Sequence, residues 1–538
     1  MSDPRPVPAS ALGKELAPAG EPLSALELQD LVPLPAPYDE VVPQDVWKEL
    51  SPERKATVDA TLDGVSALGL KRPASTAEEK RLVEGVKSGL RKLLSEDDNW
   101  AFLQPLSLTL EHCTHCQTCA EACPIFVGSG GNEVYRPTYR ADVLRRLAAR
   151  YGEGGNPLKA ALAGGLQLNW STLARLAELA HRCTLCRRCT QACPIGVDNG
   201  LVTHELRKLF SQELGIAAAE CHAKGSQLQL KVGSTTGMSP AVVKDNVDFI
   251  DEETREKTGL NIETPWDVEG ADVLLLHNAG EIMAWPDNPG AFAAILESAG
   301  VSWTLSSDLL GYDAVNYGLW YDDVQFARVA LKHAEIAKKL KVKKIVIGEC
   351  GHAHKALTVI GDRLLGADSV PRESCMTFLA ALVESGRLKL DPSRNDFPVT
   401  YHDPCNFARA MGIVEPPRRI LRAIAPRFRE MTPRGVENYC CGGGSGFAIM
   451  SGNNFPEWKM LVSGRMKLKQ VLAAFQGEDP GAHKYLCAPC SNCKGQLRDL
   501  FRFYGVWDRS HILYGGLVEL IVNAMADVKP GFIEWSEQ

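Results

Sequence analysis

Two cysteine runs with one grammar constrain this chain more than any other feature: Cys113-x2-Cys116-x2-Cys119-x3-Cys123-Pro124 and Cys183-x2-Cys186-x2-Cys189-x3-Cys193-Pro194. Three thiolates on a two-residue spacing can cap three corners of one inorganic core from a single loop. The fourth cysteine of each run stands before a proline at the start of a helix, after the chain has turned away. Two complete matches, each with its proline, leave little room for chance or for a zinc site.

This is the bacterial ferredoxin pattern for cubane [4Fe–4S] clusters, in which the fourth cysteine typically ligates the other cluster. Two cubanes are expected, one on Cys113, Cys116, Cys119 and Cys193, the other on Cys183, Cys186, Cys189 and Cys123. A chain built this way moves electrons.

At 538 residues, with 45% hydrophobic and 23% charged residues, the chain is expected to be globular with more than one core. No basic run stands out and aromatics are only 7%, so nucleic acid is not an expected partner. Seventeen cysteines could mean disulfides in an exported protein. Met1 to Gly20, however, has neither an apolar core behind positive charge nor a twin-arginine motif. No apolar stretch is long enough to cross a bilayer. The expectation is a soluble, cytoplasmic iron–sulfur protein that can still dock on a membrane partner.

The pattern divides the chain into six stretches. Residues 1–45 are rich in Pro and Ala and read as an extended tail. Residues 46–100 read as helical, with Thr76 as a helix cap ahead of an apolar face from Leu82 to Leu94. Residues 101–235 form the two-cluster region, with helices at Tyr139–Arg150 and Leu158–Ala180. The polar stretch 236–264 reads as a connector. Beyond it, short apolar runs alternate with helical stretches: Asp272 to His277, Lys344 to Gly348, Pro398 to Asp403 and Tyr485 to Cys487. Alternation of this kind predicts parallel sheets. Its recurrence predicts two related α/β halves, 265–395 and 396–538. The fold class is α+β multidomain: a helical two-cluster ferredoxin-like domain, then a two-half α/β domain.

The last half carries a second cysteine system: Cys405, Cys440-Cys441-Gly442, then Cys487, Cys490 and Cys493. Adjacent side chains diverge, so a Cys-Cys pair suits two irons better than one. Six thiols exceed the four a cubane needs, which predicts a cluster of unusual shape. The glycines after the pair (Gly442, Gly443, Gly444, Gly446) permit positive φ and close approach to an inorganic core. They lack the lysine and spacing of a phosphate loop.

The block Tyr401-His-Asp-Pro-Cys405, Cys440-Cys441-Gly442 and a closing Cys-x2-Cys resembles the CCG cysteine-rich domain of heterodisulfide reductases. Ferredoxin-type domain first and CCG domain second resembles the catalytic subunit of membrane-bound heterodisulfide reductases (HdrD-like), and still more the DsrK subunits of sulfur metabolism. The resemblance covers about residues 100 to 538 and implies one noncubane [4Fe–4S] cluster on Cys405, Cys440, Cys441, Cys490 and Cys493. Closure by Cys487 and Cys490 also fits the spacing, but Cys493-Lys-Gly-Gln-Leu matches the family's helix after its last cysteine. The first half departs from the pattern: His277-Asn-Ala-Gly and Ser306-Ser-Asp-Leu-Leu-Gly-Tyr stand where cysteines belong, and only Cys350 remains. A single noncubane cluster favours the DsrK-like branch. Its implied partners are a haem b membrane subunit that reacts with quinone and a small sulfur-carrier protein with C-terminal cysteines (DsrC-like).

Cys350, Glu349 and His352 fall at the end of a predicted strand in the degenerate half, where ligand-facing groups collect. They are expected to face the noncubane cluster, Cys350 as an extra ligand or thiol relay and His352 as a proton donor. Cys221 and Cys375 read as buried small hydrophobes. His112 and His115 read as hydrogen-bonding or solvent-facing neighbours of a cluster. His402 and Asp403 either orient the Cys405 loop or deliver protons. The expected function is disulfide or trisulfide reduction of the carrier protein, or its reverse. The alternative is an electron-transfer subunit beside a flavin-dependent glycolate or glycerol-3-phosphate dehydrogenase.

Overall fold

The computed structural model describes residues 48–537, except 96, 98–102, 153, 165, 167, 309–312 and 360–369. The expected tail, 1–45, and part of the 306–312 segment lie outside the described residues. The chain divides into two compact units. One gathers the residues up to Cys221 with Trp320–Asp322 and Tyr439–Lys469; the other comprises His222–Leu319, Asp323–Asn438 and the residues from Gln470 onward.

The first unit is helical. Helix Thr76–Leu93 buries Leu82, Val86, Leu90 and Leu93 on one face. Its cap is Ser75 rather than Thr76, because the Ser75 hydroxyl accepts the Glu78 N–H at 3.2 Å. The helix expected at Tyr139–Arg150 runs from Pro137 to Tyr151. The stretch expected as helical over Leu158–Ala180 holds two helices, Pro157–Leu162 and Trp170–Ala180, each capped by an asparagine.

Charge is buried at the entry to the second cysteine run. The Arg182 guanidinium, fully buried, lies 3.7 Å from Asp63 and 4.3 Å from the Trp458 ring centroid. One turn earlier, Glu178 accepts the Ser66 hydroxyl at 2.9 Å and the Ala67 N–H at 2.6 Å. Burial raises the pKa of both acids, and Arg182 opposes that rise. The cluster ties residues 63–68 and the 455–458 turn to the helix that leads into Cys183.

The second unit contains two four-stranded sheets. Strands β1 (Val273–Leu276), β2 (Trp303–Thr304), β3 (Lys344–Ile347) and β4 (Arg372–Ser374) lie in the order β2-β1-β3-β4. Strands β5 (Val399–Tyr401), β6 (Phe428–Arg429), β7 (Lys484–Cys487) and β8 (Ile512–Gly515) lie in the order β6-β5-β7-β8. Every pairing is parallel. The halves therefore share one topology, and each reverses its winding between its first and third strands. That point, at the carboxyl ends, is where ligands sit in such sheets.

The stretch expected as a connector, 236–264, is mostly helix: Pro240–Thr258, capped by Ser239 and closed by Gly259 at φ +77°. Its polar composition hides an apolar stripe, with Val243, Val247 and Ile250 buried against Phe292, Ile295 and Leu296 in one core. That core continues through Leu379, Ile420 and Leu421 to Leu520 and Ile521.

Replacing Arg182 by Met leaves two buried carboxylates without their cation, and is expected to destabilise the helical unit by about 3–5 kcal/mol. Groups whose folded pKa is raised lose stabilisation as pH rises through that value. The deficit in thermal unfolding temperature is therefore expected to be larger at pH 7.5 than at pH 5.

Candidate iron–sulfur centres

In the helical unit both cysteine runs fold into the same loop. His115 and Gln117 take left-handed φ of 56° and 66°, and Leu185 and Arg187, at the matching positions, take 50° and 57°. Alternating left-handed residues turn successive N–H groups to one side, the backbone concavity found around anionic and iron–sulfur centres. Two N–H···S contacts recur at the sulfurs, Leu185 N to Cys183 Sγ at 3.4 Å and Val197 N to Cys193 Sγ at 3.3 Å.

The fourth cysteines cross over. A cavity is lined by Cys113, Cys116 and Cys119 from the first run and by Cys193 from the second. Burial first, then the charges of Cys113, Cys123, Cys193 and Cys116, push the Cys119 thiol up to about 12. In the other group, Cys189 is raised by burial and then by Cys123, Cys183 and Cys186. Thiols gathered so closely can ionise together only around a cation, which fits the donor sets to a metal cluster. No disulfide joins any of the seventeen cysteines. Cys116 is exposed and Cys186 is buried, so the first site lies nearer solvent. His115 borders the first cavity and lies 3.2 Å from Arg145 Nη1, which also binds Asp142 at 2.6 Å.

Cys440 and Cys441 belong to this same unit, buried beside the second cysteine run. Three contacts join them. The Arg188 guanidinium, between Cys186 and Cys189, stacks 4.3 Å from the ring of Tyr439. Arg207 donates to the Cys183 carbonyl at 2.7 Å and also to the Ser445 hydroxyl. A Cβ at Gly444 would meet the Thr184 carbonyl oxygen at 2.8 Å. Gly442, at φ +90°, would meet the Ser463 carbonyl at 2.6 Å. These two glycines therefore permit close approach of protein to protein, whereas the sequence suggested approach to an inorganic core. The N–H groups of Gly442 and Gly443 each lie 3.4 Å from a cysteine sulfur, those of Cys440 and Cys441. Arginines 188 and 207 carried no sequence signal, since each sits in an ordinary helix.

Apart from Cys221, the remaining cysteines lie in the sheet unit, at the carboxyl ends of its strands. Cys405 begins the helix after β5, with Pro404 as its cap. Cys490 caps the helix Ser491–Tyr504 after β7, and Cys493 lies in its first turn. His402 Nε2 is 3.2 Å from Cys493 Sγ, and its Nδ1 is 3.4 Å from Asn438 Nδ2. Asp403 is bound in two-pronged fashion by Arg418 at 2.7 and 2.8 Å and accepts the Gly435 N–H at 2.8 Å. Those bonds fully commit its carboxylate to holding the loop. Cys487 ends β7 within the apolar core, in register with Tyr401 and Gly515. Cys375 is wholly buried in the same core, and Cys221 is buried in the helical unit.

The first half meets the second here. A Cβ at Gly351 would touch Pro404 and Asn406, the neighbours of Cys405, at 3.4 and 3.5 Å, and Cys490 Sγ at 3.6 Å. The Cys350 thiol is raised by hydrogen bonding to Cys490 and by burial, and it also accepts from Asn278 Nδ2 at 3.4 Å. Glu349 and His352 point elsewhere. The Glu349 carboxylate accepts the Leu517 N–H at 2.7 Å, the Val518 N–H at 3.1 Å and Asn288 Nδ2 at 2.9 Å. It caps a helix whose own cap residue, Gly516, has no side chain. Burial and the neighbouring Glu519 push the Glu349 carboxyl up to about 8, against Lys494. His352 Nε2 lies 2.7 Å from the Asn316 carbonyl oxygen and 3.3 Å from the Asn316 backbone nitrogen, and burial lowers its pKa to about 4. Burial and contact with both backbone groups of Asn316 make this ring an anchor of the loop that carries Asn316.

Sequence reasoning missed Lys494, Glu281 and Glu519. Glu281 accepts the Ser491 hydroxyl at 2.6 Å and the Asn278 N–H at 3.1 Å, joining the two halves. Lys494 Nζ is buried among Glu519, Glu281 and Glu349, with no hydrogen-bond partner among the described residues. Its place directly after Cys493 was the one available signal.

Comparison with known proteins agrees with this architecture. The 4Fe-4S dicluster domain family matches residues 109–197, and the Cysteine-rich domain (CCG) family matches residues 399–498. An Hdr-like menaquinol oxidoreductase iron–sulfur subunit 2 of Archaeoglobus fulgidus is 26% identical over 80% of this chain and 84% of its own length. The corresponding iron–sulfur subunit of Archaeoglobus profundus is 26% identical over 81% of this chain and 86% of its own. The HdrD polypeptide of the dihydromethanophenazine:CoB–CoM heterodisulfide reductase of Methanosarcina acetivorans is 29% identical over 73% of this chain and 89% of its own.

The crossed ligation has a direct check. Cys113→Ala with Cys193→Ala is expected to remove one cubane, whereas Cys113→Ala with Cys123→Ala disrupts both. Iron content and the EPR spectrum of the reduced protein distinguish the two double variants.

Proposed function

We propose that this chain, a heterodisulfide-reductase-like iron–sulfur oxidoreductase subunit with a 4Fe-4S dicluster domain and a CCG domain, is the catalytic subunit of a quinone-linked membrane complex. It exchanges electrons between a haem-bearing membrane partner and a disulfide or trisulfide on a sulfur-carrier protein with C-terminal cysteines. Two cubanes are held by the crossed cysteine sets. The resemblance implies a noncubane [4Fe–4S] cluster on Cys405, Cys440, Cys441, Cys490 and Cys493, all of which fall inside the 399–498 CCG match. The clusters supply one-electron steps at iron, and the noncubane one an iron able to accept a substrate sulfur.

The observation that carries this reading is the meeting of Cys350 and Cys490 at the crevice where both halves end their central strands. An electron relay needs only ligands. A buried thiol beside a ligating cysteine adds a sulfur that can exchange with substrate. The chain's other groups hold that crevice. His402 places its Nε2 on Cys493 Sγ, Asn278 fixes the Cys350 thiol, and Asp403 with Arg418 fixes the Cys405 loop. Arg188 and Arg207 keep the second cubane run against the Cys440–Cys441 loop, which favours electron passage from cubane to CCG cysteines. Among its relatives are a menaquinol oxidoreductase subunit and a heterodisulfide reductase subunit, the two ends of such a path.

The purified chain, given electrochemically reduced methyl viologen, is expected to reduce a peptide disulfide or trisulfide patterned on a two-cysteine carrier tail. Added thiol peptide is expected to perturb the EPR signal of the oxidised protein. Cys350→Ala is expected to keep its iron while turnover drops at least tenfold. Cubane reduction without peptide turnover in the unmodified chain would instead identify an electron-transfer subunit.

A further inference from the structure

Reduction of a sulfur–sulfur bond consumes protons as well as electrons. The balance is R–S–S–R′ + 2 e⁻ + 2 H⁺ → R–SH + R′–SH: one S–S bond breaks and two S–H bonds form. Under the function proposed above, the electrons come from a quinol-class donor through the cubanes. The protons must reach a crevice whose thiols and imidazoles are buried, and whose histidines 352 and 354 are both tied to protein oxygens.

A cavity of about 310 Å³ opens into the sheet unit on another side. Trp285, Asp287, Phe532, Glu534 and Glu537 line it, and its buried wall includes Glu519. The space takes several waters and is polar enough to hold them. From Glu519 the path runs inward over Gly516. A Cβ there would collide with Glu349 Oε2 and with Glu519 Oε2, and would lie 2.8 Å from Asn288 Nδ2. The two carboxylates therefore share one bare spot, clamped by Asn288, which reaches Glu349 at 2.9 Å and Glu519 at 3.4 Å. Glu349 precedes Cys350, and its carbonyl accepts the Ser491 N–H at 3.1 Å, next to Cys490.

We propose that Glu519 is the inlet through which protons pass from this cavity to the buried carboxylates beneath the Cys350–Cys490 crevice. A proton inlet must lie between water and a protected acceptor, and Glu519 is the carboxylate that both lines the cavity and adjoins Glu349. Its surroundings suit the role. Burial raises its pKa, Lys494 opposes the rise and Asp287 adds to it, so the group can hold a proton nearer neutral pH than an ordinary carboxylate. The charges facing it are Asp287 from the helix Asp287–Ser298, Glu349 beyond β3, and Lys494 from the helix after β7. Lys494 serves as a fixed counter-charge. Glu519 is a positioning and proton-path residue that touches neither substrate nor cluster ligand.

The test compares the full iron-loaded chain with Glu519→Gln and Glu519→Asp, using electrochemically reduced methyl viologen and the same peptide disulfide. Expected for Glu519→Gln are a turnover at least fivefold slower, a larger solvent deuterium isotope effect and a flattened pH profile. The rate of cubane reduction by viologen without peptide stays unchanged. Glu519→Asp is expected to recover most of the rate. Ser536→Trp, which narrows the cavity mouth, is expected to slow turnover in the same isotope-sensitive way and reads out the path even if Glu519→Gln does not fold. Wild-type turnover, pH profile and isotope effect in Glu519→Gln overturn the inlet while leaving the proposed function standing. If Glu519→Gln does not fold, an unslowed Ser536→Trp overturns the inlet. A wild-type chain that reduces its cubanes but no peptide overturns both.

Discussion

Burying a thiolate is unfavourable unless a cation stands beside it, and this chain buries or half-buries all but one of its cysteines. In the two cysteine runs, burial and mutual repulsion raise thiols such as Cys119 well above the ordinary range. Much of the surrounding structure follows from that demand. Left-handed residues at matching loop positions turn N–H groups toward the sulfurs, and the crossed fourth cysteines stitch the two runs together. Loops that carry no apolar core of their own thus become the fixed point of a helical unit. The buried Arg182–Asp63–Glu178 cluster braces the approach to the second run.

The two α/β halves show what repetition preserves when ligands are lost. Strand order is the same in both, because right-handed parallel crossovers and a shared apolar core constrain it. The groups at the carboxyl ends have diverged. Where the second half presents Cys405, Cys490 and Cys493, the first presents Asn278, Glu349 and Cys350. Those residues still serve the crevice: Asn278 and Cys350 reach its sulfurs, while Glu349 reaches under it to cap the helix Leu517–Ala524. A half without its cysteines has become the support for the half that keeps them.

Charge in the sheet unit follows a related logic. Three buried carboxylates and Lys494 lie behind the cysteines rather than among them. One carboxylate borders a cavity, another caps a helix, and the third binds Ser491.

The sequence by itself determined the ligand grammar, the helical character of the cluster region and the alternation that makes parallel sheets. Each is written in short-range spacing: two residues between thiols, a proline at a helix start, apolar runs of four or five. It misjudged 236–264, where an apolar stripe of three residues is diluted by acidic neighbours until the helix reads as polar. It assigned the glycines after Cys441 to the cluster, when Gly442 and Gly444 permit the chain to press against Ser463 and Thr184. Only the tertiary structure decided that Cys350 meets Cys490, that His352 rests against the Asn316 backbone, and that Glu519 joins a cavity to Glu349. Those pairings join residues far apart in the chain, and side chains on different strands carry no mark of each other until folding brings them together.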